Sequence, residues 1–399
     1  MSRLDELLRE LCPDGVEYKA LEDCCEVLDR KRKPVTKAAR ESGEFPYYGA
    51  NGIQDYVSDY IFDGTFVLVG EDGSVITPTG RPVVNWAEGK IWVNNHAHII
   101  AEGKGVLLRF LYHFIQTVDV SPYIHGNIPK FTGGDFKSVK VPVPPLEVQS
   151  EIVRILDNFT ELTAELTAEL TARKKQYEYY RDELLHFGDE VEVDTVKNIC
   201  DTITNFAAAG SFADVSENVP YLSEPDYAQL VRTTDIKSNY QSKNPIYISE
   251  HSYKYLWRVQ LDDMETLVLP SVGNCGEIYY LSPEKLPYKR NALAKNALLV
   301  RSTKVNMKYL FYIFQSEYFQ KQLKKITSSM GQSKFNKTEF EKLYIPVVSI
   351  SEQERIVSLL DRFDALCNDI SAGLPAEIDA RQKQYEYYRD KLLSFKELA

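Results

Sequence analysis

Thiols are scarce in this 399-residue chain: Cys12, Cys24, Cys25, Cys200, Cys275 and Cys367 are the only cysteines, and no two are spaced C-x-x-C. So few thiols in so long a chain exclude a disulfide framework and give no zinc signature. Glycine (20) and proline (18) are also sparse, which excludes a collagenous or low-complexity chain. No apolar run approaches the roughly 18 residues that a membrane helix needs. Arg3, Asp5, Glu6, Arg9 and Glu10 stand where a secretory leader would have its apolar core. Gly-Lys-Ser and Gly-Lys-Thr do not occur, so a phosphate-binding loop of the nucleotide-motor type is excluded. What is present, 44% hydrophobic and 26% charged residues, is the composition of an ordinary globular protein of about two to four domains. A reducing cytoplasm is the expected compartment.

Net charge is −11, which argues superficially against a polyanionic partner, but its distribution matters more than its sum. Arg30–Arg40 contains six basic residues and no acid, and Lys285–Lys342 contains 13 basic against three acidic residues. Residues 146–187 hold five basic and nine acidic groups, the reverse bias.

An internal repeat sets the domain map. ARKKQYEYYRDELLHF (172–187) returns as ARQKQYEYYRDKLLSF (380–395), with 13 of 16 positions identical. VPVPPLEVQSEIVRILDNFTEL (141–162) returns as IPVVSISEQERIVSLLDRFDAL (345–366), sharing Gln149/Gln353, Ile152/Ile356, Leu156/Leu360 and Asp157/Asp361. Lys130-Phe131 answers Lys334-Phe335, and Asp5-Glu6-Leu7-Leu8 resembles Asp182-Glu183-Leu184-Leu185, so the order is cyclic and the chain ends should be neighbours. Four segments follow: 1–145, 146–187, 188–350 and 351–399. Ile152, Leu156, Phe159, Leu162, Leu166, Leu170, Tyr177, Tyr180 and Leu184 make an apolar stripe, and no Gly or Pro lies between Pro145 and Gly188. That predicts one helix of about 40 residues, roughly 60 Å long, whose stripe packs as core against a partner helix. Gly373-Leu374-Pro375 should break the second copy. The tandem tetrads Thr163–Leu166 and Thr167–Leu170 each add about 6 Å of helix.

Residues 14–145 and 188–350 alternate short β-type runs with turns, and each reads as an α+β unit. The loops Tyr47–Gly52, Gly70–Ser74, Asn94–His96, Ser271–Gly276, Lys295-Asn296 and Ser328–Lys334 place polar side chains beside glycines or strand ends, where recognition groups commonly sit. Three catalytic patterns are weaker. Asn244-Pro245-Ile246-Tyr247 departs at its third position from the adenine-methyltransferase signature. Asp226, Asp235 and Lys237 match a Mg-dependent nuclease pattern that arises often by chance. His96-Ala97-His98 has no third metal ligand nearby in sequence, so packing or hydrogen bonding is its expected role.

The Pro-ending strand, the Gln-x-x-Ile helix start, the long repeated helix and two unlike globular segments together resemble the specificity subunits of Type I restriction-modification systems, over essentially the whole chain. The resemblance implies two α/β target-recognition domains separated by two repeated helices that form an antiparallel coiled coil in a pseudo-twofold cyclic arrangement. It implies a non-catalytic subunit reading double-stranded DNA as a bipartite site, one half per domain, with two methylating subunits docked on the helices and restriction subunits added to the assembly. The chain itself would bind no cofactor. S-adenosylmethionine would sit on the methylating partner, and ATP and Mg on a restriction subunit. Under this resemblance the expected DNA contacts are Tyr48, Asn51, Ser74, Asn95, His96 and Lys130 in the first domain, and Lys289, Arg290, Asn291, Lys295, Gln332 and Lys334 in the second. A nuclease acting alone and a plain coiled-coil scaffold are the alternatives.

Overall fold

The computed structural model describes residues 2–73, 75–77, 80–123, 129–188, 190–328, 331–368 and 373–398. They form two compact units, Met1–Ala168 with Ala376–Ala399, and Glu169–Pro375. Five helices organise them: α1 (Leu108–Ile115), α2 (Leu146–Leu184), α3 (Met307–Gln315), α4 (Ile350–Asn368) and α5 (Leu374–Leu392). Glu and Leu are the commonest residues of α2, it contains no Gly or Pro, and Pro145 stands just before its first turn, so 39 residues continue without a break. The second copy is interrupted as its Gly-Leu-Pro predicts: Gly373 is a bend, and α5 begins at Leu374 with Pro375 in its first turn. Among the described residues, no helix is long and apolar enough to cross a membrane.

In the first unit, β1 (Glu17–Ala20) pairs antiparallel with β8 (Lys140–Val143). β2 (Cys25–Val27), β3 (Ser42–Gly49), β4 (Gly52–Val57), β5 (Phe62–Gly70), β6 (Val84–Val93) and β7 (Ala97–Glu102) form one sheet in the order β2-β7-β5-β6-β3-β4. Only β3 and β6 are parallel neighbours. Successive residues of β5 feed two cores: Val67 and Val69 pack with Phe110 and Leu111 of α1, and Leu68 packs with Ile91 and Ile99. Burial on both faces is why this strand reads as an unbroken apolar run.

The second unit repeats the plan. Its strands are β9 (Val193–Thr195), β10 (Thr202–Asn205), β11 (Ala228–Val231), β12 (Ile246–Ile248), β13 (Thr266–Pro270), β14 (Tyr279–Leu281), β15 (Asn291–Leu293), β16 (Ala297–Arg301) and β17 (Tyr344–Pro346). They assort as β10-β16-β13-β14, β12-β11-β15 and β17-β9. Many pairings recur in the second unit, those of β5 with β7 at an offset of 200 residues. Val67↔Ile100 and Gly70↔Ala97 match Leu267↔Val300 and Pro270↔Ala297, and the parallel pair Tyr48↔Val93 matches Val231↔Leu293. The duplication, faint in the sequence of the globular parts, is explicit in their hydrogen bonds.

The helix repeat explains its shared residues. Gln149 is fully buried; its Oε1 accepts from Leu107 N (2.8 Å), and its Nε2 donates to Gly105 O (2.9 Å) and Pro144 O (2.7 Å). Gln353 repeats this with Asn306 N (2.8 Å) and Val348 O (2.8 Å). Each glutamine therefore satisfies backbone groups of two loops and fastens a helix start to its domain. In the first unit Phe159 of α2 stacks on Tyr388 of α5 at 5.3 Å, and in the second Tyr180 of α2 stacks on Phe363 of α4 at 5.8 Å. The stripe departs from the expected continuous core: Ile152 and Leu156 are buried, but Leu162 is 45% exposed and Tyr180 41% exposed. Partner helices cover the two ends of the stripe and leave Leu162 largely open to solvent.

Segments near the two chain ends meet inside the first unit. Val16 N donates to Lys396 O (2.9 Å), and Leu398 N donates to Val16 O (3.0 Å). Gly15 has φ +118°, and a Cβ there would lie 2.4 Å from Lys396 O, so the junction demands glycine.

One position of the shared frame differs in chemistry. In the first unit Asp157 accepts from Arg109 Nε (2.8 Å) and His113 Nε2 (2.8 Å), and His113 Nδ1 accepts from the Tyr385 hydroxyl (2.9 Å). In the second, Asp361 accepts from Lys308 Nζ (2.5 Å) and the Tyr312 hydroxyl (2.6 Å). Burial pushes the His113 imidazole down, outweighing the pull of Asp157, whereas Asp157 is held low by His113 and Arg109 against its own burial. Below about pH 6.5 the unfolded chain therefore takes up a proton that folded His113 resists. Stability conferred by neutral His113 is present above that pH and declines as pH falls towards the depressed folded value, and the share from Asp157 is lost only at lower pH. His113→Gln should flatten the fall in melting temperature between about pH 7 and pH 5.5; an unchanged slope would remove His113 from the account.

Candidate nucleic-acid interface

Each unit brings three segments together at the end of one antiparallel ladder, β5–β7 in the first and β13–β16 in the second. In the first unit, Glu71 N, just past β5, donates to His96 O (2.8 Å), Phe131 N donates to Glu71 O (2.7 Å), and Gly73 N donates to Pro129 O (3.0 Å). In the second, Ser271 N donates to Asn296 O (2.9 Å), Phe335 N to Ser271 O (3.1 Å), and Gly273 N to Ser333 O (2.8 Å). The bridges Asp72↔Lys130 and Val272↔Lys334 complete the match. One backbone frame therefore presents two unlike sets of side chains, and loops fixed by strand ends are suited to recognition.

In the first unit the junction gathers Asn95, His96 and Lys130. Asn95 and His96 form the exposed turn between β6 and β7, and the His96 ring is hydrogen-bonded to Asp72. Lys130 is exposed and lies 3.6 Å from Glu71. Asn51 is exposed at the β3–β4 turn, which reaches the junction because Asn94 N donates to Tyr48 O (3.0 Å). Tyr48 itself is a correction. Its side chain is 8% exposed among Leu28, Phe62 and Phe66, at the end of β3 where both faces are covered, and burial raises its phenol pKa. Ser74 lies outside the described residues.

In the second unit the junction gathers Lys295, Gln332 and Lys334, all exposed. Asn296, beside Lys295, has φ 73°, a left-handed conformation that asparagine tolerates better than most residues. Lys289 and Arg290 are exposed at the opposite end of β15. Among the described residues none of Lys289, Arg290, Lys295 and Lys334 has an ion-pair partner, whereas Lys308, Lys321 and Lys342 of the same basic stretch do. Asn291 is the second correction. It is buried, and its Nδ2 donates to Asp262 Oδ1 (2.9 Å) and Tyr288 O (2.7 Å), tying the start of β15 to two loops.

A charged network behind the first junction was not foreseen. Arg32 Nη1 donates to Glu71 Oε2 (2.7 Å) and Ala97 O (2.6 Å), and its Nε donates to Asp29 O (2.9 Å). His98 is fully buried, bonded to Asp29 Oδ2 (2.6 Å) and Phe131 O (2.8 Å), and stacked on Phe136 at 4.3 Å. Burial would raise the Asp29 carboxyl, but the bonds from His98 and Ile99 N and the charge of Arg32 hold it low. Asp29, Glu71 and His98 lie close enough to ligate an ion, yet Arg32 already pairs with both carboxylates, so the cluster fits a guanidinium. Part of the Arg30–Arg40 run therefore points inward: Arg32 is 12% exposed, and Arg40 lies over the Tyr47 ring at 4.1 Å.

The nuclease alternative loses its groups. Asp235 is buried and doubly bonded to Arg232 (2.8 and 2.6 Å), and Lys237 pairs with Glu277 (2.6 Å). Among the described residues neither Asp226 nor Asp235 belongs to a cluster able to ligate a metal.

With this geometry in place, comparison with known proteins is informative. A family model described as the Type I restriction modification DNA specificity domain matches residues 13–173 and again 188–380. A Haemophilus influenzae protein named as a type I restriction enzyme specificity subunit is 33% identical over 396 residues, 95% of this chain and 96% of that protein. An Escherichia coli type I restriction enzyme specificity subunit is 34% identical over 304 residues, 72% of this chain and 71% of its own. The crystal structure of a type I restriction-modification S subunit from M. genitalium superposes with a TM-score of 0.53 at 14% identity, covering 95% of this chain and 96% of that one. A structure described for assembly and conformational transition of a type I system gives 0.58 at 14% identity, covering 96% and 98%. These two likenesses concern the fold.

Proposed function

The chain belongs to the family of Type I restriction-modification DNA specificity proteins, and from that premise we propose that its two units each read one half of a bipartite DNA site for partner subunits that methylate adenine N6. The chain is the DNA-recognition member of such a system and leaves the chemistry to other subunits. The observation that supports the finer reading is the repeated three-segment junction, one frame with Asn95, His96 and Lys130 in one unit and Lys295, Gln332 and Lys334 in the other. A shared frame with different side chains suits a shared mode of docking with different words read. Lysines supply salt-dependent affinity to phosphates, and Asn, Gln and His side chains discriminate base edges, each good pair worth about 1–3 kcal/mol. The acidic helix α2 is left to bind protein, and two methylating subunits on the repeated helices follow from the duplication. Restriction subunits join that assembly in the same proposal, and the cytoplasm, where the DNA is, is its compartment. S-adenosylmethionine belongs to the methylating partner, and ATP and Mg to the restriction subunit.

Titration of DNA with the chain and its methylating partner at several salt concentrations tests the reading. Among the described residues Lys334 has no competing carboxylate, so Lys334→Ala should weaken binding similarly for all sequences and reduce the slope of log K against log salt by about 1. Lys130 is already paired to Glu71, and Lys130→Ala should change the slope less. An unaltered slope for Lys334→Ala would place the DNA elsewhere.

A further inference from the structure

The second junction opens into a cavity of about 660 Å³, within the size range of small-molecule sites. Ser271, Val272, Lys295 and Asn296 belong both to this cavity and to the junction. The walls are apolar, from buried Phe206 and Val219, Pro220 and the half-exposed Tyr221 ring. The polar groups are the amides of Asn205 and Asn296, the hydroxyls of Ser216 and Ser271 and the Lys295 ammonium. Among the described residues none of these side chains has a hydrogen-bond or ion-pair partner. Among the described residues no carboxylate lines the space. Beside its rim, Arg258 stacks on exposed Trp257 at 4.3 Å and donates to Ala208 O (3.2 Å).

The same place in the first unit is filled. Asn205 stands opposite Leu298 where Asp29 stands level with His98, and Ser271 takes the place of Glu71. Arg32, Asp29, Glu71 and His98 lock together there, whereas the neutral counterparts in the second unit leave an opening. Flat apolar and aromatic walls, amides able to meet a base edge, and cations at the mouth match one ligand class, a nucleobase with its phosphate outside.

We propose that this cavity receives a nucleobase swung out of the duplex within the half-site read by the second unit, a base other than the methylated adenine, which must reach the methyl donor on the partner. The proposal rests on the function proposed above. Because the Arg32 network occupies the matching place in the first unit, the extrusion is confined to one half-site.

The test uses the chain with its methylating partner, saturated with DNA carrying 2-aminopurine at each half-site position in turn, with base protection measured in parallel. One position in the second unit's half-site, apart from the target adenine, should brighten severalfold on binding. Ala207→Leu, at an exposed position on the rim, should abolish that signal in the bound complex, and Asn205→Leu should weaken it. Protection of the half-site with every such reporter dark overturns the cavity's role and leaves the DNA-reading function standing. Brightening that survives Ala207→Leu also overturns it. Absence of protection overturns both. Saturation of the DNA-free chain by a nucleoside monophosphate, with dark reporters, would assign the cavity to free nucleotides and overturn the proposal.

Discussion

Exchanging residues 188–350 for the matching segment of a relative that methylates a different site is expected to rewrite one half of the methylated sequence and leave the other half and the gap unchanged. The structure makes the exchange physically reasonable. β9 and β17 pair with each other, and both lie inside the exchanged segment, so its closing ladder moves as a unit. Gln353, which fastens the start of α4 to the loop before α3, remains on the recipient side and needs only a backbone N–H and a carbonyl from the donor. Backbone groups are the least sequence-dependent partners available. The size of the effect follows from loss of base-edge pairs, each worth about 1–3 kcal/mol, so two or three of them convert a preferred word into a rejected one. Mapping methylated adenines in cells carrying the hybrid reads the result directly. A change in both halves, or in neither, would defeat the assignment of one word to each unit.

Deleting Thr163–Leu166 is expected to shorten the gap while both words persist. Four residues remove about 6 Å of α2, comparable with one to two base steps, and amount to about 1.1 turns, so the downstream face returns within roughly 40° of its original direction. The tetrads are well placed for such a change, since Leu162 is 45% exposed and Ala164, Glu165 and Ala168 are exposed. The helix contacts that anchor each unit lie towards the ends of α2, at Ile152 and Leu156 in one and at Tyr177 in the other. Methylated sites that keep the old gap would refute a helix-set spacing.

The sequence was most legible where structure is local. The helix repeat, its interruption before Pro375 and the meeting of the chain ends follow from periodicity, breakers and cyclic order, all of which act over a few residues or are copied outright. The junction turns were legible for a similar reason, since Asn95, His96 and Lys295 sit where strands end. Tyr48 and Asn291 were misplaced because a side chain's destination depends on partners far along the chain. Asp262, which binds the Asn291 amide, is 29 residues away, and the inward face of β3 is set by pairing with β6. The Arg32 network spans separations of 39 and 65 residues, and nothing in the run Arg30–Arg40 marks Arg32 as the one that turns inward. The stripe on α2 was read as uniformly buried because periodicity reports a face and says nothing of where its cover ends. The cavity of the second unit draws on four separated segments, and no short motif announces it.

Protection of individual bases from chemical modification, measured on DNA bound by the chain together with its methylating partner, tests most directly whether two units read two words. The account predicts two short protected words of unrelated sequence flanking an open stretch, with Lys295→Ala and Gln332→Ala loosening protection in one word alone. A single uninterrupted word, or protection indifferent to sequence, would contradict it.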